Sequence, residues 1–283
     1  VATAASELGV SKIRLTGGEP LLDRNITKLV QRLALLPDLT DLALTTNGML
    51  LAPVAAKLAD AGLHRVTVSL DSLDEAVFRR MSGERGELAT VLDGISAAEA
   101  AGLGPVKINV VVQKGINDHT VLDLLEHFRG TRTIVRLIEF MDVGNRNGWR
   151  MDQVVPSREL LATVSARWPL EPVGKNYPGE VARRYQYQDG RGEIGFISSV
   201  TEPFCGDCSR ARLSADGKLY TCLFASQGTD LRESLRNGAD DEEIRDILSR
   251  IWLQRGDRYS ELRRPGPAEH HVLRKVEMYR IGG

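Results

Sequence analysis

At 283 residues the chain is longer than the usual single domain, which leaves one large barrel or two domains. A hydrophobic fraction of 42% beside 27% charged residues is ordinary for a globular protein, and a net charge of −1 offers no footing for a nucleic-acid or membrane surface. No apolar run approaches the roughly 20 residues of a membrane span, Val1-Ala-Thr-Ala-Ala5 does not read as a signal peptide, and three clustered cysteines are too few for a secreted disulfide framework, so a reducing, cytoplasmic location is expected.

The first half repeats a short β-rich run followed by an amphipathic helical stretch. The runs are Lys12–Thr16, Leu42–Thr46, Arg65–Leu70, Val106–Val112 and Thr133–Phe140; the helical patterns are Ile26–Leu36, Leu51–Ala61, Leu88–Ala101 and Thr120–Phe128. Gly62, Gly102 and Gly130 stand where helices stop. Alternation of this kind implies right-handed βαβ units and a parallel sheet. With no glycine-rich dinucleotide turn after the first strand, an incomplete barrel fits better than a nucleotide-binding open sheet.

After Asp142-Val-Gly-Asn-Arg-Asn-Gly-Trp149 the pattern changes. A helix is expected over Ser157–Trp168, and Glu180–Tyr187 with Glu193–Ile197 reads as a hairpin across Asp189-Gly190. Asp216-Gly217 marks a second hairpin, and Asp240–Arg255 is a helix capped by Asp240 or Asp241. The tail from Glu261 is basic and loop-like, reads as a solvated face, and ends in Gly282-Gly283.

All three cysteines, Cys205, Cys208 and Cys222, fall in one stretch with the spacing C-x2-C-x13-C. Structural zinc normally takes four ligands, whereas a cubane iron–sulfur cluster on three thiolates leaves one iron open. Arg210 and Arg212 follow the second cysteine and alternate, so in an extended segment they share a face. An open iron beside two guanidiniums suits an anionic, nitrogen-bearing ligand.

In parallel α/β folds, sites gather at the C-terminal ends of strands. Those ends here are Thr16-Gly17-Gly18-Glu19-Pro20, Thr45-Thr46-Asn47-Gly48, Ser69-Leu70-Asp71, Asn109 onward, and Glu139-Phe-Met141-Asp142. Lys12 and Arg14 share one face of the first run, Lys107 and Asn109 one face of the fourth, and Arg136 sits in the fifth. If the apolar partners face helices, these cations line an interior, and an anionic ligand would compensate them. Arg65 is expected only to open its strand at the solvent-exposed end, and Glu139 is the one evident carboxylate partner. His64, His119 and His127 read as surface residues; Trp149, Trp168 and Trp252 read as packing residues.

Gly17-Gly18-Glu19-Pro20 resembles the methionine-binding motif of radical S-adenosylmethionine (SAM) enzymes. With Leu44-Thr-Thr-Asn-Gly48, Val68-Ser-Leu-Asp71, Val112-Gln-Lys-Gly-Ile-Asn-Asp118, Phe140-Met-Asp-Val-Gly-Asn145, Phe204-Cys-Gly-Asp-Cys-Ser-Arg-Ala-Arg212 and the terminal Gly282-Gly283, the chain resembles the molybdenum-cofactor biosynthesis protein A family, the GTP 3′,8-cyclases. The resemblance implies an α/β fold, a partial (β/α)6 TIM-type barrel lacking its first βα unit over 1–145, with a C-terminal α+β extension over 146–283 carrying a 4Fe–4S cluster and GTP. It implies radical SAM cyclisation of GTP, the first step of molybdenum cofactor biosynthesis. It assigns Cys205, Cys208 and Cys222 to the second cluster, and Arg14, Thr45, Lys107, Arg210, Ala211 and Arg212 to GTP. Gly18, Ser69 and Met141 fall to SAM, and Gly282 and Gly283 to a tail that reaches the site. Expected partners are a cyclic pyranopterin monophosphate synthase acting downstream and an external electron donor; a homodimer is allowed for. The family's first cluster sits on C-x3-C-x2-C, which has no match here, so Val1 is expected to be internal to a longer protein and the chain as given to be inactive alone. Two other readings stay open: another radical SAM enzyme with an auxiliary cluster, and a non-catalytic metal-binding module.

Overall fold

In the computed structural model, which describes residues 1–263 and 275–282, each β-rich run of the first half forms a strand. A short helix α1 (Ala2–Glu7) leads into β1 (Lys12–Leu15), α2 (Ile26–Ala34), β2 (Asp41–Thr46), α3 (Ala55–Asp60) and β3 (Arg65–Ser69). Then come α4 (Glu75–Ser82), α5 (Leu88–Ala100), β4 (Lys107–Val112), α6 (Val121–Phe128) and β5 (Ile134–Glu139). Helix α7 (Ser157–Arg167) precedes β6 (Leu170–Val173), β7 (Arg183–Tyr187) and β8 (Glu193–Ile197). The remaining elements are β9 (Arg212–Leu213), β10 (Lys218–Tyr220), β11 (Thr229–Asp230), α8 (Arg232–Arg236), α9 (Asp241–Leu253), α10 (Tyr259–Leu262) and α11 (Met278–Ile281).

Eight strands form one sheet in the order β1-β2-β3-β4-β5-β8-β7-β6. Neighbours from β1 through β5 to β8 run parallel, and β7 and β6 are added antiparallel. The fold is therefore α/β with a mostly parallel sheet. The expected hairpin of Glu180–Tyr187 with Glu193–Ile197 forms, but its second strand is also a sixth parallel strand beside β5, with Arg136 opposite Gly195. Sequence alternation cannot reveal this, because β8 is buried along most of its length and reads the same with either neighbour.

The period-2 alternation of the strands divides their side chains cleanly. Leu42, Leu44, Val66, Val68, Ile108, Val110, Val112, Val135 and Leu137 are buried against Val30, Leu58, Val91, Ile95 and Leu124 of the helices. The opposite face receives Lys12, Arg14, Arg65, Lys107 and Arg136. Helix α4 is an element that the sequence reading passes over. Asp74 caps its N-terminus on the Val77 amide, and Gly83 ends it in the left-handed conformation. That pair was the available signal. A second, smaller apolar cluster joins α1 to α9 through Ala4, Leu231, Ile244 and Leu248. Helix α9 carries the full capping box between Asp240 and Glu243. No helix among the described residues is long and apolar enough to cross a membrane.

Candidate functional site

The parallel register stacks the cations in steps across one face. Arg14 lies opposite Ala43 and Ala43 opposite Arg65; Thr45 lies opposite Thr67, and Thr67 opposite Lys107. One step further, Ser69 faces Asn109 and Asn109 faces Arg136. Arg14 reaches along this face, donating from Nη1 to Thr45 Oγ1 at 2.8 Å and Thr67 Oγ1 at 2.9 Å. Burial first, then the charges of Arg65 and Arg136, push the Arg14 guanidinium down to about 10. The same causes, burial ahead of Arg136 and Arg65, bring Lys107 down to about 7.

Two expectations about these cations are corrected. Arg65 is not solvent-exposed at a strand start: it is only 9% exposed and donates to both oxygens of Asp41, at 2.8 and 2.6 Å. Lys12 joins the same carboxylate at 2.9 Å and lies 3.4 Å over the Tyr177 ring. Burial alone would raise Asp41, yet Arg65 and Lys12 hold it well below the usual carboxylate range. Nor is Glu139 their partner. Its oxygens accept from the Ser157, Val200 and Thr201 amides and the Thr201 hydroxyl, tying two loops to the end of β5. The second carboxylate of the cation face is Glu180, 3.9 Å from Arg136. Among the described residues, Arg14 is left with the Thr45 and Thr67 hydroxyls, Arg136 with Glu180 at 3.9 Å, and Lys107 with no ion pair within 4 Å. That arrangement is costly without an anion and well suited to one.

The turn after β1 is pinned by Glu19. Its carboxylate accepts from the Thr46 hydroxyl at 2.7 Å and the Asn47 amide at 2.8 Å, locking the ends of β1 and β2 together. Gly18 lies beside the C-terminal segment, where an added Cβ would stand 3.9 Å from the Tyr279 carbonyl oxygen. Ser69 is exposed at the end of β3. Met141 packs half-buried beside Ile138, Ala182 and Ile197. At the strand end next to Ser69, burial pushes Asp71 up to about 6 against one hydrogen bond from the Val111 amide at 2.8 Å.

The cysteine segment forms the predicted second hairpin, β9 against β10 with Gly217 in its turn. Cys205, Cys208 and Cys222 are all reduced and half-buried. Burial alone would raise the Cys208 thiol, but Arg210 and then Arg255 outweigh it and bring it down to about 7. Arg210 Nη2 is 3.4 Å from Cys208 Sγ, and Arg255 donates to the Cys208 carbonyl. Burial raises Cys222. No group of three His, Cys, Asp or Glu side chains among the described residues is drawn together as for a single ion. Three soft thiols, one of them activated, are a donor set that fits an iron–sulfur cubane, which spreads its ligands wider than one ion does.

Arg212 joins this segment to the rest. Its Nε donates to the Gly282 carbonyl at 3.2 Å, and burial, then Arg210, pushes it down to about 10. Gly282 adopts φ 73 and lies so close to Thr16 that any side chain would collide with the Thr16 methyl. Arg212, Gly282 and the Thr16-Gly17 turn are thus in one contact chain, while Ala211 joins it only through its neighbour. Gly283 lies outside the described residues, as do Arg264 and Arg274 of the basic tail.

The tail's basic character also needs correcting, since Arg263 and Lys275 are not a solvated face. Both reach Asp142 Oδ atoms, each at 2.7 Å, with Tyr259 Oη at 2.6 Å. His64, His119 and His127 are exposed as expected. Trp168 is buried, but Trp252 is 42% exposed and lies under Arg255 at 4.8 Å.

Two family models divide the chain: the radical SAM superfamily matches residues 1–128, and Molybdenum Cofactor Synthesis C matches 133–261. A GTP 3′,8-cyclase of Xanthomonas axonopodis pv. citri is 57% identical over 276 residues, covering 98% of this chain and 81% of that protein. The chain belongs to the GTP 3′,8-cyclase family. Within that family, the enzyme of Acidothermus cellulolyticus is 50% identical over all of this chain and 84% of its own length. That of Staphylococcus epidermidis is 44% identical over 98% of this chain and 82% of its own.

Proposed function

We propose that the chain binds GTP and SAM side by side for the radical cyclisation of GTP to its 3′,8-cyclo derivative, the first step of molybdenum cofactor biosynthesis. The observation that carries this reading is the contact chain Arg212–Gly282–Thr16, because it joins the cysteine–arginine segment to the strand end that bears Arg14. In this reading the sheet is an incomplete (β/α)6 barrel, residues 1–145 form its core, and 146–283 add the auxiliary-cluster and GTP region.

Arg14, Lys107, Arg210 and Arg212 neutralise the triphosphate, with Thr45 orienting Arg14. Asp41 keeps Arg65 and Lys12 occupied, so the field at the ligand comes from the cations without strong partners. Cys205, Cys208 and Cys222 would hold a 4Fe–4S cluster whose open iron can take the guanine, with Ala211 lending its backbone. Gly18, Ser69 and Met141 form the SAM side, and Glu19 fixes the turn that presents Gly18. When bound, SAM would supply the hydrogen-abstracting radical, and Gly18, Ser69 and Met141 would hold it in place. The three-cysteine motif of the radical-generating cluster has no counterpart among the 283 residues, where every cysteine lies at 205–222. In this reading the residues present hold and align the two ligands, with Gly282 packed against Thr16 beside them. A cyclic pyranopterin monophosphate synthase as consumer of the product, an external electron donor, a cytoplasmic setting and a homodimer belong to the same reading.

The test is separate titration of GTP and SAM with Ala variants at Arg14, Lys107, Arg210 and Arg212. A charge-assisted contact contributes roughly 1.5–3 kcal/mol, so each loss is expected to weaken GTP by roughly 10- to 150-fold and leave SAM unchanged. Equal losses for both ligands, or none for GTP, reject the assignment.

A further inference from the structure

The path of the C-terminal segment over the site is set by the loop that follows β5. Asp142 receives four donors: Tyr259 Oη at 2.6 Å and Lys275 Nζ at 2.7 Å on Oδ2, and Arg263 Nη2 at 2.7 Å and Nε at 3.1 Å on Oδ1. Lys275 Nζ also donates to the Asp142 carbonyl at 2.7 Å. These donors come from both described ends of the C-terminal region, 259–263 and 275–282. The Asp142 side chain is 13% exposed, and those of Arg263 and Lys275 are 7% and 14% exposed, so the contacts are shielded from solvent.

Four further contacts continue the same seam. Asn145 donates its Nδ2 to the Lys275 carbonyl at 2.6 Å and its amide to Glu277 Oε1 at 3.1 Å. Gly144 sits so close to Glu277 that a side chain there would collide with its carboxylate. Val276 donates to the Ala225 carbonyl at 3.0 Å, beside the last cysteine. From this seam α11 runs one turn and delivers Gly282 to Thr16 and Arg212. Four residues of helix have little stability of their own, so the direction of the tail depends on its tether.

We propose that Asp142 is the positioning residue of the tail: its carboxylate, gathering Tyr259, Arg263 and Lys275, anchors the C-terminal segment so that Gly282 meets the turn after β1. The consequence for turnover rests on the tail's part in the proposed reaction, whereas the anchoring itself does not. Because Asp142 directly follows Met141, one loop carries both a wall of the SAM side and the anchor of the tail. Replacing this carboxylate therefore releases the tail without removing any of the cations assigned to GTP.

The test uses the full-length, cluster-loaded protein and follows hydrogen exchange at the amides of Val276, Arg280 and Gly282, which donate to Ala225, Glu277 and Met278 carbonyls. In Asp142→Asn, exchange at these amides is expected to rise about tenfold or more, the factor for losing one charge-assisted contact. Amides of β2 to β4 are expected to exchange as before, and GTP to bind as tightly as before. Lys275→Met, which cuts the tether from the tail side, is expected to act in the same direction. Unchanged exchange at the three amides in both variants overturns the proposal; so does a rise that spreads to β2–β4, which would make Asp142 a general support of the fold. Turnover of Asp142→Asn is read beside Gly282→Ala. If Gly282→Ala is inactive, Asp142→Asn is expected to lose kcat with KM for GTP unchanged, and full kcat with a freed tail overturns the positioning role. If Gly282→Ala is fully active while Asp142→Asn frees the tail, the anchor is supported and the tail's part in the reaction is what falls.

Discussion

The sheet and the cysteine–tail region are built on different physics. From β1 to β5 the strands are backed by one continuous apolar cluster running from Ile26 to Phe196, and their charged side chains are passengers on that frame. From Phe204 onward the apolar support is broken into small pieces, the cluster of Ala4, Leu231, Ile244 and Leu248, Phe204 beside Ile138 and Ile197, and the Phe224–Tyr259 stack, and charge contacts of Asp142, Glu261, Arg255 and Arg212 are added to it. Hydrophobic burial is non-directional and insensitive to ligands, whereas shielded charge contacts depend on geometry and on what else is bound. The first region can therefore hold a site rigid, and the second can answer to its occupants.

Cavities should expose the difference most strongly. Leu44→Ala, within the large cluster, is expected to cost about 2–5 kcal/mol by chemical denaturation, with Leu231→Ala at the low end of that range because its smaller surroundings can collapse. Equal costs, or a larger one at Leu231, would remove the contrast.

The next effect concerns charge rather than packing. Lys107 is held at about 7 against an ordinary 10.5, so the protonated form is disfavoured in the fold. From about 7 upward the unfolded chain binds the extra proton, and the ligand-free protein is expected to gain stability as pH rises towards 10.5. A triphosphate needs the charged form. GTP affinity should therefore fall with pH above about 7, by up to about tenfold per unit, while stability rises. Titration of GTP between those limits, with Lys107→Met as control, reads both signs; a slope that survives in the control assigns it elsewhere.

The smallest effect tests whether the second region depends on its own helices. Asp240→Ala removes the capping box of α9 and is expected to cost about 1 kcal/mol, seen in the melting temperature, without altering GTP affinity. A change in affinity would mean that α9 helps to set the position of the Arg210 and Arg212 segment.

Much of the frame was legible because it depends on local rules. Strand runs, glycine stops, two Asp-Gly hairpins and the Asp240 cap follow from periodicity and turn chemistry, which act over a few residues. Lys12, Arg14, Lys107 and Arg136 could be assigned to one face because a strand alternates with period two. Helix α4 was readable in principle from Asp74 and Gly83, but it is only two turns long and buries a single residue, Phe78, too weak a stripe to stand out.

What the sequence determined by itself was which side chains share a face, where the strands of the parallel frame lie, and, through Gly17-Gly18-Glu19-Pro20 and the Cys205–Arg212 stretch, which family the chain belongs to. Tertiary structure alone decided which charges meet. Asp41 took Arg65 and Lys12, Glu180 approached Arg136, and Asp142 collected donors more than 110 residues away along the chain. It also made β8 the sixth parallel strand. The physical reason is that ion pairing carries no period and no spacing: a carboxylate takes whatever cation the register and the loops bring within reach, and only the folded chain sets that register.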